Sequence, residues 1–162
     1  MHRPALAAAL LLLTACGDGG GTAAEPSAAP GRPAPTDAEK AALLASLPAP
    51  YAGADLDNGR RVFARCRACH TITEGGPNMT GPNLYGVFGR EAGDKDGYNY
   101  STALREAEFT WDAERLDHWL ENPREFLRGN KMSFPGIADA ADRRDLIAFL
   151  KVETGYASAP EE

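Results

Sequence analysis

The chain has 162 residues, of which 25% are charged and 43% hydrophobic, and its formal net charge at pH 7 is −6. This length suits one domain with additional segments better than two full domains. The negative charge argues against nucleic acid as a partner, because nucleic-acid binding needs a basic surface that neutralises phosphates.

The first 15 residues have the pattern of a processing signal. Arg3 precedes an apolar run from Ala5 to Leu13, which is too short to span a bilayer and is typical of a signal-peptide core. The following Leu-Thr-Ala-Cys resembles the lipobox of bacterial lipoproteins, in which cleavage precedes a Cys that receives a lipid. We therefore expect a lipoprotein-type signal peptide over residues 1–15, with lipidation of Cys16. Ordinary secretion without a lipid is the alternative, and both place the domain outside the cytoplasm.

Two further segments precede the main domain. Residues 16–35 consist largely of Gly, Ala, Pro, Ser and Thr, a composition that buries too little apolar surface to fold, so we predict a disordered tether. Residues 36–54 open with Thr36-Asp37-Ala38-Glu39, the pattern of a capping box. This pattern predicts a short helix that ends before Pro48, followed by a Pro-rich connector. The sequence leaves open whether this helix packs on the domain.

The spacing of apolar residues and the lack of strand alternation predict a compact all-α domain over residues 55–154, followed by a short tail over 155–162. Apolar residues at helical spacing predict a first helix from Leu56 into Cys69. Gly59 inside it is explained by close approach of a second helix, for which the last one is the candidate; exposure in the first turn is the alternative. The other predicted helices are 140–152, 112–120, 102–107 and a single turn opened by Pro123. No stretch has sustained strand alternation.

The most specific chemical motif is Cys-x-x-Cys-His at positions 66–70. Two thiols three positions apart can reach the two vinyl groups of a haem from one helical turn, and His70 follows where its imidazole reaches the iron. This is the attachment signature of a c-type haem. A thioredoxin-like pair has no use for the His, and a zinc site needs four ligands, whereas the one other Cys is the distant Cys16.

Residues 55–152 resemble class I cytochromes c of the mitochondrial type, and together with the N-terminal segments they are similar to membrane-tethered bacterial forms. The matching pieces, in the family's order, are Gly59 and Phe63, the motif at 66–70, Thr80-Gly81-Pro82-Asn83-Leu84, Gly89-Arg90, Tyr98-Asn99-Tyr100, Thr110-Trp111, Leu120-Glu121-Asn122-Pro123, Lys131-Met132 and residues 145–150. The resemblance implies the cytochrome c fold, with three main helices and long loops wrapped around one covalently bound haem c.

The resemblance also implies a role for individual residues. Cys66 and Cys69 carry the haem covalently, and His70 and Met132 are the axial ligands of the iron; the alternative for Met132 is a core residue. A thioether opposite imidazole favours reduced iron and raises the potential. The carbonyl of Pro82 accepts the Nδ1 proton of the ligand His. The other expected haem contacts, of which the first three match residues that hold the propionates, are Arg90, Tyr100, Trp111, Trp119 and Phe134.

A haem with two protein ligands has no vacancy for a substrate, so we expect an electron carrier and not an enzyme. The resemblance implies a monomer that takes electrons from a quinol-oxidising cytochrome complex and gives them to a terminal oxidase or another redox protein. Its place would be the periplasmic side of the bacterial cell membrane. A peroxidase-like haem enzyme or gas sensor with a labile sixth ligand is the alternative. Trp119 and Asn130 stand where many relatives carry Tyr and Thr, which changes the hydrogen bonds near Met132.

Charge is unevenly distributed along residues 55–154, which contain 14 Lys and Arg against 17 Asp and Glu. In this family the exposed haem edge lies beside the attachment and Met segments, where the basic residues are Arg65, Arg67, Arg124, Arg128 and Lys131. Carboxylates gather instead on one predicted helix, at Asp112, Glu114, Asp117 and Glu121. We expect the basic group to form a rim that steers an acidic partner; a solvated scatter of charge is the alternative.

Overall fold

A computed structural model describes residues 35–156, which form helices joined by loops. No β-strand occurs in this part of the chain, and a single antiparallel bridge pairs Glu91 with Thr110, so the all-α prediction is confirmed. The predicted signal peptide, Cys16, the tether up to residue 34 and the tail from residue 157 lie outside the described residues. None of the described helices is long and apolar enough to cross a membrane.

Within residues 35–156 the regular structure consists of six α-helices and one 3₁₀ turn. In chain order they are α1 (Asp37–Ser46), the 3₁₀ turn (Tyr51–Gly53), α2 (Leu56–Phe63), α3 (Thr102–Arg105), α4 (Ala113–Glu121), α5 (Pro123–Phe126) and α6 (Ala140–Glu153). Every helix expected from the sequence is present, and the 3₁₀ turn was not expected.

Side-chain caps explain where the first helices begin. The Thr36 hydroxyl accepts the Glu39 N–H at 3.3 Å, and the Glu39 carboxylate accepts the Thr36 N–H at 2.7 Å, which is the reciprocal capping box expected at α1. Asp55 caps α2 by accepting the Asn58 N–H at 2.9 Å. Each cap satisfies an amide that has no partner inside its helix.

The predicted first helix was too long. Regular α-helix ends at Phe63, and residues 64–69 form hydrogen-bonded turns. In these turns the Cys66 N–H donates to the Phe63 carbonyl at 2.8 Å, and the Cys69 N–H donates to the Cys66 carbonyl at 3.0 Å. The haem-attachment motif therefore lies on turns that follow α2 and not on the helix itself.

Helices α2 and α6 cross in close contact at Gly59. A Cβ on Gly59 would overlap the Asp145 carbonyl and lie 2.6 Å from the Cβ of Phe149. The predicted close approach of the last helix is confirmed, and any larger residue at this position would push the two helices apart. This crossing fixes the position of α2, and therefore of the cysteine motif that follows it.

The buried carboxylate of Asp145 strengthens the same crossing. It accepts hydrogen bonds from the Asn58 side chain at 3.0 Å, from the Asp55 N–H at 3.2 Å and from Arg144 at 2.6 Å. Burial by itself would raise the pKa of Asp145, but the hydrogen bonds from Arg144, Asn58 and Asp55 lower it below its usual value. The carboxylate is therefore ionised at neutral pH and holds the start of α2 on α6.

The core of the domain contains an aromatic cluster that lies beside a cavity. Trp111 and Trp119 pack edge to face with ring centroids 5.4 Å apart, and Phe126 contacts both. Helix α4 is joined to α6 by an ion pair in which buried Arg143 lies 2.8 Å from Asp117. These contacts place α4 and α6 as two walls of the cavity described next.

Candidate haem-binding site

The side chains that the sequence assigned to a haem site line one cavity of about 250 Å³. The structure brings together all ten of these residues, which are Cys66, Cys69, His70, Pro82, Arg90, Tyr100, Trp111, Trp119, Met132 and Phe134. Much of the remaining wall is apolar and includes Leu146 and Leu150 of α6. Cys16, the predicted lipidation site, lies outside the described residues.

His70 is held in a defined orientation by Pro82. The Nδ1 of His70 lies 2.7 Å from the Pro82 carbonyl oxygen, and a carbonyl can only accept, so Nδ1 carries the proton and donates it. Nε2 then has the free lone pair that a metal needs. Burial lowers the pKa of His70, and the bond to Pro82 partly opposes this effect. The imidazole is therefore neutral at pH 7, the form that binds iron.

Gly81 contacts the same imidazole ring, a role that sequence reasoning did not assign. A Cβ on Gly81 would overlap Cε1 of His70 and lie 2.7 Å from both ring nitrogens. The Gly81 N–H also donates to the Cys69 carbonyl at 2.8 Å, which joins this segment to the cysteine motif. The signal in the sequence was the glycine directly before Pro82, where only a residue without a side chain leaves room for the ring.

The Cys66 thiol differs from the attacking thiol of a redox-active pair. Burial raises the pKa of Cys66 to about 11, Arg65 opposes the rise, and Cys69 adds to it. A thiol–disulfide oxidoreductase needs the opposite, an attacking thiol with a lowered pKa. The thioredoxin-like alternative is therefore disfavoured.

Met132 is held by the side chain of Asn130. The Met132 N–H donates to Oδ1 of Asn130 at 2.8 Å, and Nδ2 of Asn130 donates to the carbonyls of Pro123 at 2.7 Å and Leu127 at 2.8 Å. Asn130 thus ties the loop that carries Met132 to the end of α5. Sequence comparison had marked this position only as a departure from the family's Thr.

Polar donors reach the cavity from a third direction. Arg90 is half-buried and donates to the Asn83 carbonyl at 3.4 Å, while Tyr100 and Trp111 are buried. Burial lowers the pKa of Arg90 and raises that of Tyr100. An arginine remains cationic in proteins and an unionised tyrosine donates its hydroxyl proton, so this group suits carboxylates that enter the cavity.

These residues fit a haem c by their chemistry. Two thiols, an imidazole with a free Nε2, a thioether and a set of donors for carboxylates share one largely apolar cavity. A different metal site would need a cluster of ligands. Within residues 35–156 no group of three or more His, Cys, Asp or Glu side chains is placed to hold a metal ion.

Comparison with known proteins agrees with this chemistry. The cytochrome c family model matches residues 56–152. Cytochrome c of Kluyveromyces lactis is 40% identical over 105 residues, which cover 64% of this chain and 96% of that protein. Cytochrome c of Chlamydomonas reinhardtii is 44% identical over 101 residues, 62% of this chain and 90% of that protein.

Among solved structures, cytochrome cH from Methylobacterium extorquens superposes with a TM-score of 0.56 at 44% identity, covering 60% of this chain and 97% of that one. The matched region contains α2 to α6 and the whole cavity, whereas α1 precedes it. The chain belongs to the cytochrome c family, whose members bind one covalently attached haem c and carry electrons.

Proposed function

We propose that this protein is a membrane-bound one-electron carrier that takes electrons from a quinol-oxidising cytochrome complex and passes them to a terminal oxidase. The observation that carries the proposal is the presence of both His70 and Met132 in one cavity with the two thiols. When bound, haem c supplies a one-electron couple at the iron. The residues of the chain hold the haem, tune its potential and control access to it.

Each part of the cavity has a separate task in this proposal. Cys66 and Cys69 would hold the haem through thioether bonds, and His70, oriented by Pro82, would supply a nitrogen ligand whose basicity is raised by its hydrogen bond. The thioether of Met132 would supply the second protein ligand and favour the reduced state. With both ligands supplied by the protein, the metal would have no free site for a substrate. The apolar walls exclude water, which favours the less charged redox state.

The natural reaction can be tested directly in membranes. Purified full-length holoprotein is added to membranes from which endogenous soluble and loosely bound carriers have been washed, and quinol-driven oxygen uptake is followed. We expect uptake to rise with added carrier, and reduction and reoxidation of the haem band to keep pace with it. Absence of turnover with both a quinol-oxidising complex and an oxidase present would contradict the proposal.

An acidic docking site on the partner is the second part of the proposal. The five basic residues expected at the haem edge are all exposed, and two of them, Arg65 and Lys131, also line the cavity. Asp117 and Glu121 of α4 both pair with Arg143 of α6, and Asp112, the N-cap of α4, pairs with Arg115. Three of the four carboxylates expected there are thus compensated locally, which leaves the basic group as the stronger source of steering.

Charge reversal separates steering from other effects. We expect Lys131→Glu or Arg124→Glu to slow electron transfer to the oxidase at low ionic strength and to have little effect at high salt. Lys95→Glu makes the same change in net charge at a residue that does not line the cavity and serves as the control. Equal rates for Lys131→Glu and wild type at low ionic strength would exclude the basic rim.

The third part is location: a lipid on Cys16 holding the protein on the periplasmic side of the cell membrane. The apolar run over residues 5–13 and the following Leu-Thr-Ala-Cys support it. We expect Cys16→Ala to move haem protein from the membrane fraction to the soluble fraction, or to abolish processing. A wild-type protein that is already soluble, with an unmodified N-terminus by mass spectrometry, would contradict it.

A further inference from the structure

Helix α1 packs on α6 although it precedes the family-matched region. Leu47, directly after α1, is 4% exposed and forms one apolar cluster with Ala54 and with Ala148 of α6, which is fully buried. Leu44 of α1 packs against the same cluster. The sequence left open whether this helix packs on the domain, and the structure shows that it packs on α6.

An ion pair also joins α1 to the C-terminal end of α6. Nζ of Lys40 on α1 lies 2.6 Å from Oε1 of Glu153 at the end of α6, and both side chains are only 17% exposed. Partial burial makes such a pair more effective than a fully solvated one. A ten-residue helix such as α1 is marginal in water by itself, so its persistence depends on these contacts with α6.

Lys151 contacts residues from both segments that flank the matched region. Its side chain is 4% exposed, and Nζ lies 3.5 Å from the ring centroid of Tyr156, 4.8 Å from that of Phe88 and 5.7 Å from that of Tyr51. Aromatic faces attract a cation at these distances. Tyr51 and Tyr156 both lie outside the matched region of residues 56–152. The residues added on either side of the family domain therefore meet at one position of α6.

We propose that residues 36–54 and Glu153–Tyr156 form a clasp on α6 that fixes where the N-terminal segment leaves the domain and so shortens its connection to the membrane anchor. The second half of this inference rests on the proposed lipid at Cys16. Ala148, Lys151 and Glu153 are the α6 residues that contact the clasp segments. Different α6 residues, Leu146 and Leu150, line the haem cavity. The clasp residues themselves do not line that cavity.

Polymer statistics give the size of the effect. With the clasp closed, residues 16–35 would connect the lipid to the domain, and a flexible coil of that length has an r.m.s. span of about 25 Å. With the clasp open, the connection would run to residue 54 and span about 34 Å. The effective concentration of a tethered partner falls roughly as the −3/2 power of linker length, so opening the clasp lowers it about threefold.

The clasp is tested first by hydrogen exchange of the full-length holoprotein. We expect slow exchange of the α1 amides in wild type, fast exchange in Lys40→Glu and in Glu153→Lys, and recovery in the double charge swap. Leu47→Ala opens the clasp without changing charge, and Lys95→Glu is the charge-matched control that leaves it closed. Unprotected α1 amides in wild type, or protection unchanged in Lys40→Glu and Leu47→Ala, would overturn the proposal.

The second readout is the electron-transfer rate to the oxidase in the same membrane. We expect Leu47→Ala to lower the rate about threefold when the protein is anchored, and to leave it unchanged when the protein carries Cys16→Ala and is supplied in solution. Faster α1 exchange without a change in the anchored rate would overturn the effect on the anchor. A wild-type protein found unlipidated removes the anchor but leaves the hydrogen-exchange result as the test of the clasp itself.

Discussion

His70 and Met132 line the same cavity, but the chain holds them with different kinds of contact. His70 follows the two cysteines, donates to the Pro82 carbonyl and packs against the backbone of Gly81. Met132 depends on one side chain, that of Asn130, for the hydrogen bond at its own amide. Backbone contacts hold His70, whereas the side chains of Asn130 and of the exposed Lys131 hold the segment that carries Met132. A disturbance of the fold should therefore release Met132 first.

Substitution of Gly81 disturbs the backbone contact that holds His70 and should have the largest effect. In Gly81→Ala the new methyl group overlaps the His70 ring, and overpacking of this kind costs about 3 kcal/mol where the neighbours are fixed. We expect little mature holoprotein, measured as haem per mole of purified chain. Gly53→Ala is the matched control, since its Cβ would meet no atom within 4 Å. Normal haem content in Gly81→Ala would show that the ring has room to move.

Substitution of Met132 removes the ligand that the chain holds less firmly. In Met132→Ala the reduced state loses its thioether, so the reduction potential should fall by on the order of 0.1 V or more, within the roughly 0.8 V range that axial ligands span. The iron should also bind carbon monoxide. Potentiometric titration and a carbon monoxide difference spectrum measure both effects. An unchanged potential would mean that another residue is the ligand.

Substitution of Asn130 sharpens the comparison, because it weakens the support of Met132 without touching either ligand. Asn130→Ala removes hydrogen bonds to Met132, Pro123 and Leu127, which together should cost about 1–3 kcal/mol. We expect the methionine-to-iron absorption band to disappear at lower denaturant concentration than global unfolding. Asn130→Thr, the residue that relatives carry, should restore part of the difference. Loss of the band together with global unfolding in Asn130→Ala would contradict the unequal support.

Acid titration tests the contact between α2 and α6, which positions the cysteine motif and His70. The pKa of Asp145 is lowered in the folded protein, so its contribution is complete above the usual carboxyl pKa of about 3.9. That contribution is lost as pH falls from there through the lower folded-state pKa. Asp145→Asn should therefore reduce the free energy of unfolding at pH 7, with a difference from wild type that shrinks below about pH 4. Asp57→Asn, at an exposed pair with Arg60, is the control, and equal pH profiles for the two variants would contradict this role.

The sequence was most informative where a local rule applies. The capping box at Thr36 depends on neighbouring residues alone and was predicted at the correct position, and the start of α2 at Leu56 was predicted correctly as well. Gly59 was predicted to mark a helix contact, because a glycine destabilises a helix interior and close packing of a second helix offsets that cost. Three of the ten cavity residues were assigned from the Cys-x-x-Cys-His motif and the other seven through the resemblance; all ten lie together, while their roles toward the haem stay predictions.

Other features, whose causes lie outside their own segment, were not predicted. The end of α2 at Phe63 is set by the turns that present the cysteines, and helical spacing does not register it. The contact of Gly81 with His70 and the docking of α1 on Ala148 join segments far apart in sequence. Such contacts leave no periodic pattern, since each partner looks ordinary in its own segment.

An electron carrier of the proposed kind requires that the protein supply both ligands of the iron in the wild-type holoprotein. Absorption spectra of the full-length protein at neutral pH, oxidised and reduced, with and without carbon monoxide, test it in one experiment. We expect a six-coordinate low-spin spectrum, a methionine-to-iron charge-transfer band in the oxidised form, and no binding of carbon monoxide on reduction. A high-spin spectrum, or ready binding of carbon monoxide by the wild type, would contradict ligation by Met132 and indicate a haem enzyme or gas sensor.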